Sequence, residues 1–491
     1  MTDTFRVAIL QLAATALASH EAALAEALRR IDDASRDEPD LIVLPEGTYP
    51  AHFLGDRDAV QRTSWYADAD VLRALSERAR AHRCYLAAGL VLRDSSARLL
   101  NAAVLFAPDG VEVARASEAT PASWFVLGEG PVAANPRAIP AALVAGADLL
   151  DPRWGTPMAQ AGTRLIISTG APRGWVRGDR AAAPADVVLP ARAAETGAWI
   201  VSAGRAGHED AVETYTGGAG VITPDGEWAV RAPADRPGIV VHTVDIDAAH
   251  PRAVEVPTTL PPDGPETASI TRVRTASVAL DPMPSTVDLM EAVRSLVRAA
   301  TAQGASVVVL PDLAGADPRA VSKTETLPLI EALAAQAGIA IVVALTERAD
   351  GLTYKTVFAV EGGRTAGSHR ASILSERERA AGFTAGDTLP PVVGAGGLHL
   401  GLMAGDEGLV PAVASSLRDR GATLLAWCAG HQDGPTEAVA RTRAWEQRRP
   451  VVVAGSARTG GFVVASGGHL LSATPEGAPG IAVTEVETPA G

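Results

Sequence analysis

Two acidic side chains stand where catalytic groups of layered α/β proteins tend to stand, each at the end of an apolar strand that stops at proline. Asp40-Leu-Ile-Val-Leu-Pro-Glu46 delivers Glu46, and Ser306-Val-Val-Val-Leu-Pro-Asp312 delivers Asp312. A carboxylate in such a place can serve as a general base. Other versatile groups are scarce, for the chain has two lysines, Lys323 and Lys355, and two cysteines, Cys84 and Cys428. Both lysines read as surface charges, since lysine is almost never fully buried unless paired. Cys84, where a helix meets a strand, reads as a small buried hydrophobe. Cys428 ends a strand with His431 and Asp433 close by in sequence, and Cys beside His is one design for a nucleophile and its base. His208 falls on the loop after a strand. Trp124, Trp154 and Trp175 fall on loops able to rim a pocket and offer aromatic ligand contacts.

The two Leu-Pro-acid strands belong to a repeat. Segments of the same character follow each of them in the same order. Ala79 to Val91 answers Leu333 to Leu345, a helix end running into a strand. Asn101 to Gly110 answers Thr353 to Gly363, strands with Gly placed for a hairpin turn. Ala161 to Ser168 answers Arg420 to Trp427, Ala193 to Gly204 answers Ala444 to Gly455, and Tyr215 to Gly226 answers Thr459 to Gly468. The chain therefore reads as two copies of one unit, residues 1–255 and 271–491, joined by a linker over 256–270 that is rich in Pro and Gly.

Composition suits two packed domains: 47% of residues are hydrophobic and 20% charged, which excludes wholesale disorder. The net charge of −14 argues against nucleic acid or an anionic membrane as partner. No apolar run reaches membrane-spanning length and no signal segment opens the chain, so a soluble, cytoplasmic protein is expected. The cysteines fall in different repeats and give no disulfide framework or metal cluster, and no cofactor is expected.

The repeated unit resembles the nitrilase, or carbon-nitrogen hydrolase, superfamily over nearly the whole chain, twice. The resemblance is carried by the Leu-Pro-Glu46 strand end, the Arg192-Ala-Ala-Glu195 helix before a strand and Ala-Gly turn, and the Gly-rich hairpin ending in Pro-Asp-Gly226. It implies an α/β fold, each unit an α-β-β-α sandwich, with the two packed as an internal pseudo-dimer and room for further homo-oligomerisation. It also implies a Glu base, a Lys that stabilises the tetrahedral intermediate, and a Cys nucleophile on a sharp turn. This sequence departs from that pattern in both copies. Matching the family's motifs puts Glu118 on the lysine position of the first repeat and Arg370, or else Ala371, on that of the second. Gly146 falls on the first nucleophile position, and Ala404 or Gly405 on the second.

A position with no heteroatom cannot form an acyl-enzyme. Glu46 is expected to face Glu118, with one pKa of the pair raised. Asp312 is expected to pair with Arg370. The reading that follows is a pseudoenzyme that binds a small molecule or a partner protein, with Trp124, Trp175 and His208 as candidate ligand contacts. The alternative is an enzyme of altered, non-covalent chemistry on an amine, amide or nitrile-type substrate, using Glu46 and Glu118. A third reading is an amidase or nitrilase that uses Cys428.

Overall fold

A computed structural model describes residues 4–54, 66–121, 124–171, 184–209, 213–260, 271–281, 283, 285–315, 321–430 and 435–489. The chain divides into two compact units, Met1–Ala253 and Val254–Gly491.

In the first unit one sheet runs Glu213–Gly217, Gly204–Glu209, Thr4–Ala13, Leu41–Tyr49, Tyr85–Arg93, Leu99–Phe106, Glu112–Ser117, and Gly238–Asp245 also pairs antiparallel with Thr4–Ala13. A second sheet runs Trp228–Arg231, Gly220–Ile222, Trp199–Ser202, Leu165–Ser168, Ala141–Val144, Val132–Ala134. Side chains alternate across a strand, and both faces here are apolar. Val7, Ile9, Leu41 and Val43 pack against Leu143, Leu165, Ile167 and Val201 of the facing sheet. Ala8, Leu10, Ile42 and Leu44 pack outward on Leu24 and Ile31 of helix His20–Ala34 and on Val71 and Leu75 of helix Asp68–His82. The second sheet buries Ile166 and Ile200 under Leu189 and Ala193 of helix Pro184–Thr196. The layers are thus helix, sheet, sheet, helix, and the continuous apolar strands are what burial on both faces demands.

The second unit repeats the plan. One sheet runs Arg364–Arg370, Leu352–Glu361, Ala340–Ala349, Val307–Asp312, Arg272–Ala279, Gly480–Glu487. The other runs Val392–Ala395, Leu398–Ala404, Leu424–Cys428, Val451–Ala454, Phe462–Val464, Leu470–Ala473. Val307 and Val309 face inward, whereas Val308 and Leu310 meet Val293, Val297 and Ile330 of the outer helices.

The Leu-Pro-acid motif explains where the carboxylates come to lie. Proline has no N–H for the ladder, and the parallel register with the next strand breaks between Leu44 and Tyr49 in one unit and between Val309 and Asp312 in the other. The backbone of the acid then turns toward the facing sheet, where Glu46 N–H donates to the Thr169 carbonyl and Asp312 N–H to that of Ala429.

Candidate functional sites

In the first unit Glu46 and Glu118 come together. Glu118 directly follows the Glu112–Ser117 strand, and its N–H donates to the Asn101 carbonyl at 2.9 Å on the neighbouring strand. The Asn101 side chain lies between the acids, its Nδ2 donating to Glu46 Oε2 at 2.7 Å and to Glu118 Oε2 at 2.6 Å. Backbone N–H groups orient the remaining oxygens, Ala171 donating to Glu46 Oε1 and Ala147 to Glu118 Oε1, each at 2.9 Å. All three side chains are buried, as is Asp148, which receives the N–H of Ala119. Burial, and then the charge of Glu46, pushes the Glu118 carboxyl up to about 8, so the two acids share a proton near neutral pH.

The chain of contacts continues past Glu46. His52 Nε2 stands 3.1 Å from Glu46 Oε2 and its Nδ1 3.1 Å from the Tyr215 hydroxyl, which donates to Glu209 Oε2 at 2.7 Å. Tyr215 gives its one proton to Glu209, so His52 donates from Nδ1 and the Glu46 contact needs a proton on one of its two atoms. Arg205, also buried, donates to the carbonyls of Ala13, Glu46 and Gly47 and so ties the strand end in place.

Gly146 follows the Ala141–Val144 strand at φ 52°, in the left-handed region that favours glycine. A Cβ built on it would stand inside the Glu118 carboxylate. The volume that a side chain at Gly146 would need is thus taken by Glu118.

Of the other expected ligand contacts, His208, Trp124 and Trp154 do not join this cluster. His208 is exposed and bonds Thr214 at 3.0 Å. Trp124 packs with Leu17, Leu54, Val91 and Phe125. Trp154 leans on the layer of Leu149 and Met158. Trp175 lies outside the described residues.

The second unit departs from expectation at three positions. Asp312 does not pair with Arg370. Its partner is Lys355, which is not a surface charge but is 1% exposed, its ammonium held between Asp312 Oδ2 and Glu378 Oε1. Strand geometry is the reason. Arg370 sits opposite Thr356, so it shares the face of Thr356, and Lys355, one residue away, points to the other face, between the sheets. Arg370 meets Glu347 at 2.9 Å and stacks on Tyr354, 4.1 Å from the ring centre, and Glu347 also takes Lys323.

Ala371, not Arg370, is the residue that corresponds to Glu118 of the first unit. The Ala371 N–H donates to the Lys355 carbonyl at 2.8 Å as that of Glu118 does to Asn101, so Ala371 matches Glu118 and Lys355 matches Asn101. Gly405, not Ala404, corresponds to Gly146. Ala404 ends its strand, and Gly405 has the φ of 49° that matches Gly146. The acids that follow agree: Glu407 receives the Ser372 N–H at 2.8 Å, as Asp148 receives that of Ala119. A Cβ on Gly405 would lie 3.4 Å from Glu378 Oε1 and 3.7 Å from Lys355 Nζ, in ordinary contact.

Glu378 owes its place to a capping box. Ser375 accepts its N–H, and its Oε2 takes the Ser375 N–H at 2.8 Å, which leaves Oε1 for the lysine. Burial opposes the ammonium, yet the charges of Asp312 and Glu378 more than offset it and hold Lys355 above its usual value. Cys428 lies wholly inside the core between the sheets, where burial, and then the charge of Asp312, pushes its thiol well up. His431 and Asp433 lie outside the described residues. Burial raises Cys84 to about 11.

Both units brace the turn after the glycine alike. Arg192, paired with Glu195 at 2.5 Å, donates to the carbonyls of Leu149 and Leu150, and Arg443, paired with Glu446 at 2.6 Å, donates to those of Gly408 and Leu409. Such fully buried guanidinium pairs hold loops whose carbonyls lack helical partners.

Sequence reasoning missed Asn101, His52, Tyr215, Glu209, Lys355 and Glu378. Only the Ser375-x-x-Glu378 capping pattern was a readable signal. Among the described residues no group of three or more His, Cys, Asp and Glu could hold a metal ion, and no helix is long and apolar enough to cross a membrane.

No curated protein matches the chain. Among solved structures, a double mutant of the amidase from Nesterenkonia sp. AN1 in complex with acrylamide is similar at 22% identity, over 49% of this chain and 90% of that one, with a TM-score of 0.43. A mutant of the same amidase in complex with butyramide matches at 22% identity, over 50% of this chain and 92% of that one, with a TM-score of 0.44. The carbon-nitrogen hydrolase family model matches residues 6–253 and again 274–489. The chain therefore belongs to the carbon-nitrogen hydrolase family and carries its domain twice in tandem.

Proposed function

We propose that neither unit hydrolyses carbon–nitrogen bonds and that the protein is a pseudoenzyme that binds a small molecule or a partner protein. One observation supports this reading: Gly146 and Gly405, which the resemblance matches to the nucleophile position, lie at corresponding turns of the two units with φ of 52° and 49° and carry no heteroatom. A covalent route needs a nucleophile, and the two thiols present are buried and held protonated. The first unit is the one in which ligand-dependent function resides, since its buried carboxylates are not paired with a lysine, as Asp312 and Glu378 are.

The test is ammonia release by the full chain from aliphatic amides, nitriles and N-carbamoyl amino acids, with and without Cys84→Ala and Cys428→Ala together. No release above buffer is expected. Turnover that survives the double replacement would overturn the reading, and turnover abolished by it would make Cys428 or Cys84 the nucleophile. The shared proton of Glu46 and Glu118 favours one rival, acid–base chemistry without a covalent intermediate. Under that rival, product forms and Glu118→Gln removes it.

A further inference from the structure

A cleft of about 170 Å³ opens in the first unit between helix His20–Ala34 and the end of the Thr4–Ala13 strand. Small residues create it, for the helix lends it only Ala22, Ala23 and Ala27 beside Glu26, and the strand adds Leu12. Arg205 also lines the cleft and is itself only 2% exposed. Its guanidinium donates to the carbonyls of Ala13, Glu46 and Gly47. A guanidinium has five N–H groups, so two are left over, and among the described residues no carboxylate pairs with it. Burial lowers its pKa, and the neighbouring Tyr215, Glu209 and Glu46 offset only part of that. A buried cation short of counter-charge favours an anion beside it. Glu26, the acid among the lining residues, does not supply one, because Arg29 and Arg30 each meet its carboxylate at 2.7 Å. The second unit lacks the cation. Gly204 and Gly455 each pair in parallel with the first strand of their unit, so Ser456 stands where Arg205 stands, its hydroxyl turned to Thr459.

We propose that this cleft binds a short-chain monocarboxylate, with its carboxylate on the spare N–H groups of Arg205 and its alkyl chain along Leu12 and the helix alanines. The site goes beyond the non-hydrolytic reading and does not depend on it. Charge-assisted bonds from a guanidinium to a carboxylate are short and directional, and they are strong where water is excluded. Thr15, also on the cleft, spends its hydroxyl on a long 3.3 Å bond to the Ala13 carbonyl and can turn that proton to the anion. The apolar wall selects for a ligand with a hydrocarbon tail, since each methylene buried against it adds to affinity. Size sets the length of that tail. A cavity of about 150 Å³ accommodates benzene, so butyrate, with about as many non-hydrogen atoms, suits this one. The cleft is open to solvent beside Ala22, which is exposed, so the ligand has a way in.

Calorimetry on the full chain with sodium butyrate tests this. One saturable site per chain is expected, with neutral butyramide at least about tenfold weaker and butylammonium not bound. Ala23→Leu, at a half-buried helix position, should fill the cleft, melt no lower than the wild type and weaken butyrate at least about tenfold. Arg205→Gln should abolish binding. Because that change also frees three carbonyls, Ala23→Leu decides the matter if the Arg205 variant does not fold. Absence of butyrate binding, butyramide bound as tightly as butyrate, or butyrate affinity unaltered in Ala23→Leu overturns the proposal. Butyrate binding lost in Glu118→Gln and kept in Ala23→Leu would place the ligand at the buried acids and refute this site. Inorganic phosphate bound as tightly as butyrate refutes the carboxylate class. Ammonia release from amides, by contrast, overturns the non-hydrolytic reading and leaves a butyrate site that Ala23→Leu closes in place.

Discussion

Replacing Glu118 with Gln should make the protein more stable at pH 8 and not at pH 4. The Glu118 carboxyl has a usual value of 4.5 and is pushed up to about 8 in the folded protein, chiefly by burial. The folded state therefore holds a proton that the unfolded chain gives up throughout that interval. Stability from this group is fully present below 4.5 and is lost as pH rises to about 8, because the unfolded state binds fewer protons there. Each tenfold change in proton affinity is worth about 1.4 kcal/mol, so the full loss approaches about 5 kcal/mol. Sharing the proton with Glu46 and local relaxation bring the expected figure to about 3 kcal/mol. Glutamine does not titrate, and its carbonyl can still accept the Ala147 N–H. Its amide nitrogen needs an acceptor, and the turned Asn101 carbonyl can provide one. The assay is urea unfolding of both proteins at pH 4 and pH 8, comparing the two differences, which cancels the titrating groups not coupled to Glu118. A stability difference that is the same at both pH values would refute the claim that Glu118 folds with its proton.

Two further outcomes follow from the same geometry. Gly146→Ala should destabilise by about 3 kcal/mol or more, because the new methyl meets the Glu118 carboxylate as well as the unfavourable φ. Gly405→Ala should cost only about 1 kcal/mol, since its Cβ finds ordinary contacts; thermal unfolding of the pair checks the order, and equal losses would contradict it. Lys355→Met should cost about 3–5 kcal/mol by leaving Asp312 and Glu378 buried together without a cation. Lys323→Met, at a partly exposed pair with Glu347, should cost under about 1 kcal/mol, and denaturant midpoints of the two variants measure the contrast.

By itself the sequence determined the repeat, the layered α/β architecture and the two strand-end acids. The repeat shows in the order of matching segments and the layers in the family resemblance, whereas the acids are a local matter: an apolar strand buried on both faces, a proline that ends the ladder and a carboxylate just beyond it can be read in seven consecutive residues. The meeting of Glu46 and Glu118 was legible too, through the resemblance. What only the tertiary structure decided was the company those acids keep. Lys355 and Arg370 could not be told apart as partners of Asp312 without the hairpin register, because one residue of slip sends a side chain to the opposite face of the sheet. Gly405 rather than Ala404 takes the turn because the φ of the backbone, not the pattern of residues, marks the position. Asn101, His52, Tyr215 and Glu209 come from four separate stretches of strand and loop and meet only when the strands align. A site at the ends of strands collects side chains distant in sequence, so its charge balance is a property of the fold.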